Sequence, residues 1–190
     1  MEIKSYPVYK FSELTPAAKQ KALQELRDCN TEDSWWADCV LDDWKEKLEK
    51  FGYTSPEIAY SGFCSQGDGA SFTAAVDLQN WIKATKNAKR FAAILKWLKS
   101  PDEWHTANVI RTDRHYSHYN TVRAELEYDD TAPDTSELEA AITAHVRDLS
   151  KQLYRDLEKE FSYQSSDTTI VETIEANDWT FNARGHLDNL

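Results

Sequence analysis

The chain has 190 residues, with 33 acidic against 22 basic side chains and a formal net charge of −11. Hydrophobic residues make up 41% and include seven Trp, nine Tyr and seven Phe, which excludes a disordered chain. No apolar run approaches the roughly 18 residues of a membrane span, and the acidic balance argues against a general nucleic-acid binder, whose footprint is basic.

The start, Met1-Glu2-Ile3-Lys4, lacks the charged-then-apolar pattern of a signal peptide. Cys29, Cys39 and Cys64 form no CxxC pair, so they read as reduced thiols and the expected location is the cytoplasm. Charge is uneven along the chain: −6 over residues 1–78, +4 over 79–128 and −9 over 129–190. Such asymmetry predicts a dipolar surface.

In chain order, Pro7 holds Tyr6 extended, and Thr15 with Pro16 marks a capped helix start through about Arg27. A second helix is expected over 31–51, with the apolar stripe Trp36, Val40, Trp44, Leu48 and Phe51, stopped by Gly52. Residues 57–63 and 72–78 read as a hairpin with a long tip. A third helix is expected over 78–98, ending at Ser100-Pro101, with Trp81, Ala84, Ala88, Phe91, Leu95 and Leu98 inward. A second hairpin pairs 106–112 with 121–128, and 129–135 is a linker. The longest helix then runs over 136–163 and a short one over 167–175, with Trp179-Thr180-Phe181 as an extended tail. The expected class is α+β: about five helices on a four-stranded, mainly antiparallel sheet made of two hairpins. One domain, 1–190, is expected, its helical part 136–190 packed on 1–128.

Several features can carry chemistry. Three of five glycines, Gly62, Gly67 and Gly69, fall around the tip, where positive φ would let amides converge on an anion. A phosphate loop needs a lysine and a following helix, both missing, and Asp68 stands nearly alone for calcium. The plainer reading is a rigid tip in which Asp68 and the serines bond their own backbone.

His105, His115 and His118 gather with Asp113 around the second hairpin, but the spacing is poor for a metal. No Ser-His-Asp or paired-carboxylate pattern stands out; Cys64 beside the tip is a candidate nucleophile but reads better as a bystander. His145 sits at the edge of the long helix's apolar flank and reads as a core histidine with a satisfied hydrogen bond.

Two helix faces are unusual. On the second helix Trp35 falls off the apolar stripe, beside a ridge of Asp38, Asp42, Glu46 and Glu49. Stacked like charges cost tenths of a kcal/mol per pair. The ridge is either a Trp-anchored surface for a basic partner or a solvated face neutralised by Lys45 and Lys50. On the third helix Lys83, Lys86, Lys89, Arg90 and Lys96 oppose the core, with Trp97 among them. Lys86, Arg90 and Trp97 are candidate anion or dimer contacts; docking within the chain or on a second copy is favoured over nucleic acid.

Phe11-Ser12-Glu13-Leu14 with Ala17-Ala18-Lys19, and Ser61-Gly62-Phe63-Cys64-Ser65-Gln66-Gly67-Asp68-Gly69-Ala70-Ser71-Phe72, resemble small proteins of tailed bacteriophages and prophages. Those carry an F-x-E-L helix start before a G-F-x-S-Q-G-D-G-A-S-F hairpin. The resemblance spans roughly the first 80 residues, and the tail from Trp179 to Gly185 is similar. It implies a phage accessory protein acting in the host cytoplasm, a class that often blocks host defences, CRISPR nucleases included. It assigns no role to any residue.

The resulting expectation is a non-enzymatic inhibitor, an anti-CRISPR or similar anti-defence protein, that binds a basic host protein without cofactor or metal. Trp35, Asp38, Asp42, Glu46, Glu49, Gln66 and Asp68 are the expected contacts. Membrane and direct nucleic-acid binding are not expected, and a homodimer stays open. The rival is a nucleotide or nucleic-acid module using the glycine-rich tip and the basic third helix. A further alternative is an enzyme centred on Cys64 or the histidine loop.

Overall fold

The computed structural model describes residues 6–100, 104–113 and 115–188. Met1 to Lys4 and Pro101, the proline expected to close the third helix, lie outside the described residues. The chain divides into two units, Met1–Asp38 with Lys159–Leu190, and Cys39–Glu158.

The first unit is built on local signals. Thr15 Oγ1 accepts from the Ala18 amide at 3.3 Å, and Pro16 occupies the first turn of α1 (Pro16–Glu25), as the sequence leads one to expect. A two-residue strand, β1 (Tyr9–Lys10), pairs antiparallel with β6 (Thr180–Phe181). The other helix, Asp167–Ala176, is capped by Ser166, one residue earlier than the Asp167 cap that the sequence offers. Phe11, Leu14, Ala18, Ala22, Ile170, Ile174 and Phe181 form the core. Gly185, at φ +86, lies so close to α1 that a Cβ there would stand 2.1 Å from the Ala18 carbonyl oxygen.

The second unit holds the four-stranded antiparallel sheet in the order β2 (Tyr53–Tyr60), β3 (Ala70–Val76), β4 (His105–Arg111), β5 (Val122–Tyr128). The expected class holds: α+β, with six α-helices among the described residues and the sheet made of two hairpins. The second helix, α2 (Asp38–Lys50), follows a short 3-10 turn at Ser34–Ala37 and stops at Gly52, φ +90. A long helix, α5 (Ser136–Gln164), is tied to the sheet: Thr143 Oγ1 accepts from the Ala124 amide at 2.9 Å, and Arg147 Nε donates to the Val122 carbonyl at 3.2 Å.

Three boundaries differ most from expectation. α2 begins at Asp38 rather than at about 31, because Ser34–Ala37 form a 3-10 turn ahead of it. β2 begins at Tyr53 rather than 57, because a bulge between Thr54 and Glu57 takes up Ser55, φ +49, and Pro56. A proline inside a strand is tolerated where the ladder is already broken. The expected third helix is two helices, α3 (Leu78–Ala84) and α4 (Ala92–Trp97). Lys86 sits at φ +60, its amide donating to the Lys83 carbonyl while the Asn87 amide reaches the Ile82 carbonyl at 2.9 Å. These two bonds form a Schellman stop, with lysine where glycine is usual. The break exposes Ala88, assigned to the core stripe, and buries Ile82 and Ile94.

A polar cluster is enclosed by this core. Trp81 Nε1 donates to the Tyr53 hydroxyl at 2.8 Å and lies 3.1 Å from His145 Nδ1, which is 2.9 Å from the same hydroxyl. The Trp81 indole can only donate, so Nδ1 facing it is an acceptor and the neutral ring carries its proton on Nε2. Burial lowers its pKa below 6.5, opposed by the Asp148 charge, and burial likewise raises that of Tyr53. His145 is therefore the hydrogen-bonded core histidine that the helix pattern suggests.

Candidate functional site

The carboxylate ridge points outward. Asp38, Asp42, Glu46 and Glu49 are all exposed, whereas Trp44 and Leu48 are buried on the opposite side of α2. Compensation is partial. Lys45 Nζ lies 2.9 Å from Asp42 Oδ1 and Lys50 Nζ 3.8 Å from Glu46 Oε2, both pairs largely in solvent. Asp38 opens the helix, where the backbone dipole favours a negative charge. Glu49 has no ion-pair partner among the described residues. In the first unit, Trp35 on the 3-10 turn is 80% exposed, the most exposed large hydrophobic side chain described. Its neighbour Trp36 instead packs edge-on against Phe161, ring centroids 5.5 Å apart.

The basic face of the expected third helix does not survive as one face. Lys86 occupies the break between α3 and α4. Arg90 is paired with Glu137 at the start of α5, at 2.7 Å, a contact within the chain. Trp97, expected among the lysines, is half-buried: its Nε1 donates to Thr131 Oγ1 at 3.1 Å and its ring lies 5.7 Å from that of His105.

At the tip, the expectation of positive φ is overturned: none of Gly62, Gly67 and Gly69 is left-handed, and no amide nest of that kind forms. The plainer reading is what the tip does. Asp68 Oδ2 accepts from the amides of Cys64 at 2.9 Å and Ser65 at 2.6 Å, and Ser61 Oγ accepts from Gly69 at 3.3 Å. Close approach to backbone requires glycine at position 69. A Cβ on Gly69 would lie 2.8 Å from the His118 Cα, and one on Gly67 2.9 Å from the Tyr116 ring. Gln66 and Cys64 are exposed.

This packing leaves a cavity of about 400 Å³ between the tip, the β4–β5 loop and α5. Asp68, Gly69 and Ala70 form one wall and His118 with Tyr119 a second; Ser150, Lys151, Tyr154 and Arg155 line it from α5. Tyr154 is fixed by stacking on Phe63, centroids 5.5 Å apart, and by donating to the Gly62 carbonyl at 3.1 Å. Burial, and then the Asp68 charge, raise its pKa. Lys151 Nζ stands over the Tyr119 ring, 4.3 Å from its centroid. The sequence pointed to the tip but not to α5, since Ser150, Lys151 and Arg155 lie some 80 positions away with no motif linking them.

Among the described residues no group of three His, Cys, Asp or Glu is placed to hold a metal ion, and no helix is long and apolar enough to cross a membrane. His118 instead turns Nδ1 to the Asn120 amide at 3.2 Å.

A family described only as a domain of unknown function, DUF8835, matches residues 36–167, well over half of the chain. The chain belongs to the DUF8835 family. No curated protein and no solved structure matches it. The DUF8835 region includes the whole sheet, the glycine-rich tip, the cavity and the carboxylates of α2, whereas Trp35 lies one residue before it.

Proposed function

We propose that this protein is a non-enzymatic accessory factor of a tailed phage or prophage. It binds a basic surface on a host defence protein, a CRISPR nuclease first among the candidates, and so blocks access of nucleic acid to that surface. The observation that carries this reading is Trp35, 80% exposed in a chain of net charge −11. Trp is enriched among the residues that dominate protein interfaces, where truncating one costs about 2–4 kcal/mol or more. The outward carboxylates of α2 supply the complementary charge, which speeds encounter with a basic partner and weakens with salt. The phage resemblance of the first 80 or so residues supplies the biological setting.

The test is made in bacteria carrying active CRISPR immunity. Expression of the wild-type chain should raise the plating efficiency of a targeted phage. Trp35→Ala, and separately D42K/E46K/E49K, should abolish that rescue while each folded protein accumulates normally. Failure of the wild type to rescue plating across the CRISPR types tried would reject the nuclease as target.

A further inference from the structure

The cavity beside the tip holds an unsatisfied donor. Ser150 is fully buried, its Oγ has no hydrogen-bond partner among the described residues, and it lines the cavity. An orphaned buried hydroxyl forfeits the hydrogen bonds it would make in water, and a polar group seated in the cavity would restore one. Lys151, next in sequence, and Arg155, one turn on, bring two cations to the same mouth. Neither is ion-paired among the described residues. Asp68 is the one carboxylate on the wall, and its Oδ2 is already held by two backbone amides. The lining itself therefore carries two cations and one carboxylate, with Glu158 a further negative charge near Tyr154.

The remaining wall is aromatic. Tyr119 and His118 lie tilted against each other, centroids 4.0 Å apart, and Tyr154 is clamped from behind by Phe63. The volume, about 400 Å³, falls within the ~300–1,000 Å³ usual for small-ligand sites. Two cations with no acidic partner among the described residues, Lys151 held only against the Tyr119 ring, and a hydroxyl donor suit a phosphate group, and flat side chains suit a planar ring.

We propose that this cavity is a binding site for a small phosphorylated ligand carrying a flat ring, of the size of a nucleoside monophosphate. Lys151 and Arg155 hold the phosphate, Ser150 Oγ donates to it, and Tyr119 and Tyr154 flank the ring. This site is independent of Trp35 and the α2 carboxylates.

The experiment uses the full chain with AMP, UMP, adenosine and inorganic phosphate as probes, read by calorimetry and by melting temperature. AMP or UMP at millimolar concentration should raise the melting temperature by roughly 5 °C, with adenosine and phosphate each binding at least roughly tenfold more weakly. Lys151→Ala and Arg155→Ala should each weaken nucleotide binding roughly tenfold. Ser150→Ala separates ligand binding from folding: the free protein should be as stable as wild type or more so, because the orphaned hydroxyl is gone, while affinity falls. Absence of binding by all four probes overturns the proposal. So does nucleotide binding that the Lys151 and Arg155 variants leave unchanged, or phosphate binding as tightly as AMP.

Discussion

Gly69→Ala tests why the tip is rich in glycine. The added Cβ would stand 2.8 Å from the His118 Cα, where ordinary contact begins near 3.4 Å, so one backbone must retreat by at least 0.6 Å. Neither is free to move. The His118 carbonyl accepts from the Thr121 amide at 2.9 Å and from its hydroxyl at 2.6 Å, and the Gly69 carbonyl accepts from Ser61 at 3.0 Å. Overpacking of this kind costs about 1–3 kcal/mol, offset by the ~0.4–1 kcal/mol that alanine withdraws from the unfolded chain. The net loss should be about 1–2 kcal/mol, or roughly 2–8 °C in melting temperature for a chain of this size. Gly67→Ala is the internal control. Its Cβ meets only the Tyr116 ring, and Tyr116 is 54% exposed and able to swing into solvent. That variant should stay within about 0.5 kcal/mol of wild type. The measurement is a pair of thermal and urea melts on the full chain. Equal losses in the two variants, or no loss at Gly69, would refute the steric reasoning.

Other predictions concern each unit separately. His145 is held below its ordinary pKa of 6.5 by burial, so the unfolded chain protonates first as pH falls. Stability should be complete above about pH 6.5 and decline below it, measured as the urea midpoint, with His145→Gln removing much of that decline. Gly185→Ala should destabilise the first unit by more than about 2 kcal/mol, since φ is +86 and the Cβ would overlap the Ala18 carbonyl; hydrogen exchange in α1 would report it. Arg90→Ala should cost less than about 1 kcal/mol, because the Glu137 pair is half in water; a larger loss by urea titration would show that Arg90 does more than pair.

What the sequence disclosed follows from how local each signal is. The Thr15-Pro16 start, the Gly52 stop and the two hairpins rest on neighbouring residues and were readable. The break at Lys86 was not, because a lysine holds the left-handed stop where a glycine would have announced it. Pro56 hid the start of β2 for a related reason, since only the bulge makes it acceptable. The outward direction of the ridge came from helical spacing; Trp35 is exposed as well, but on a 3-10 turn ahead of the helix on which the spacing placed it. The cavity could not, because Ser150, Lys151 and Arg155 meet the tip only through tertiary packing. The glycines drew attention to the right stretch for the wrong reason, since none has a positive φ and it is Gly69 that close approach to backbone requires.

The most direct test of the binding account places a photo-crosslinking amino acid at position 35 of the tagged chain during infection of a host with CRISPR immunity. The account predicts a covalent adduct with one host protein bearing a basic nucleic-acid surface, lost in D42K/E46K/E49K and diminished as salt is raised. An adduct that survives both changes, or none with any host protein, would contradict it.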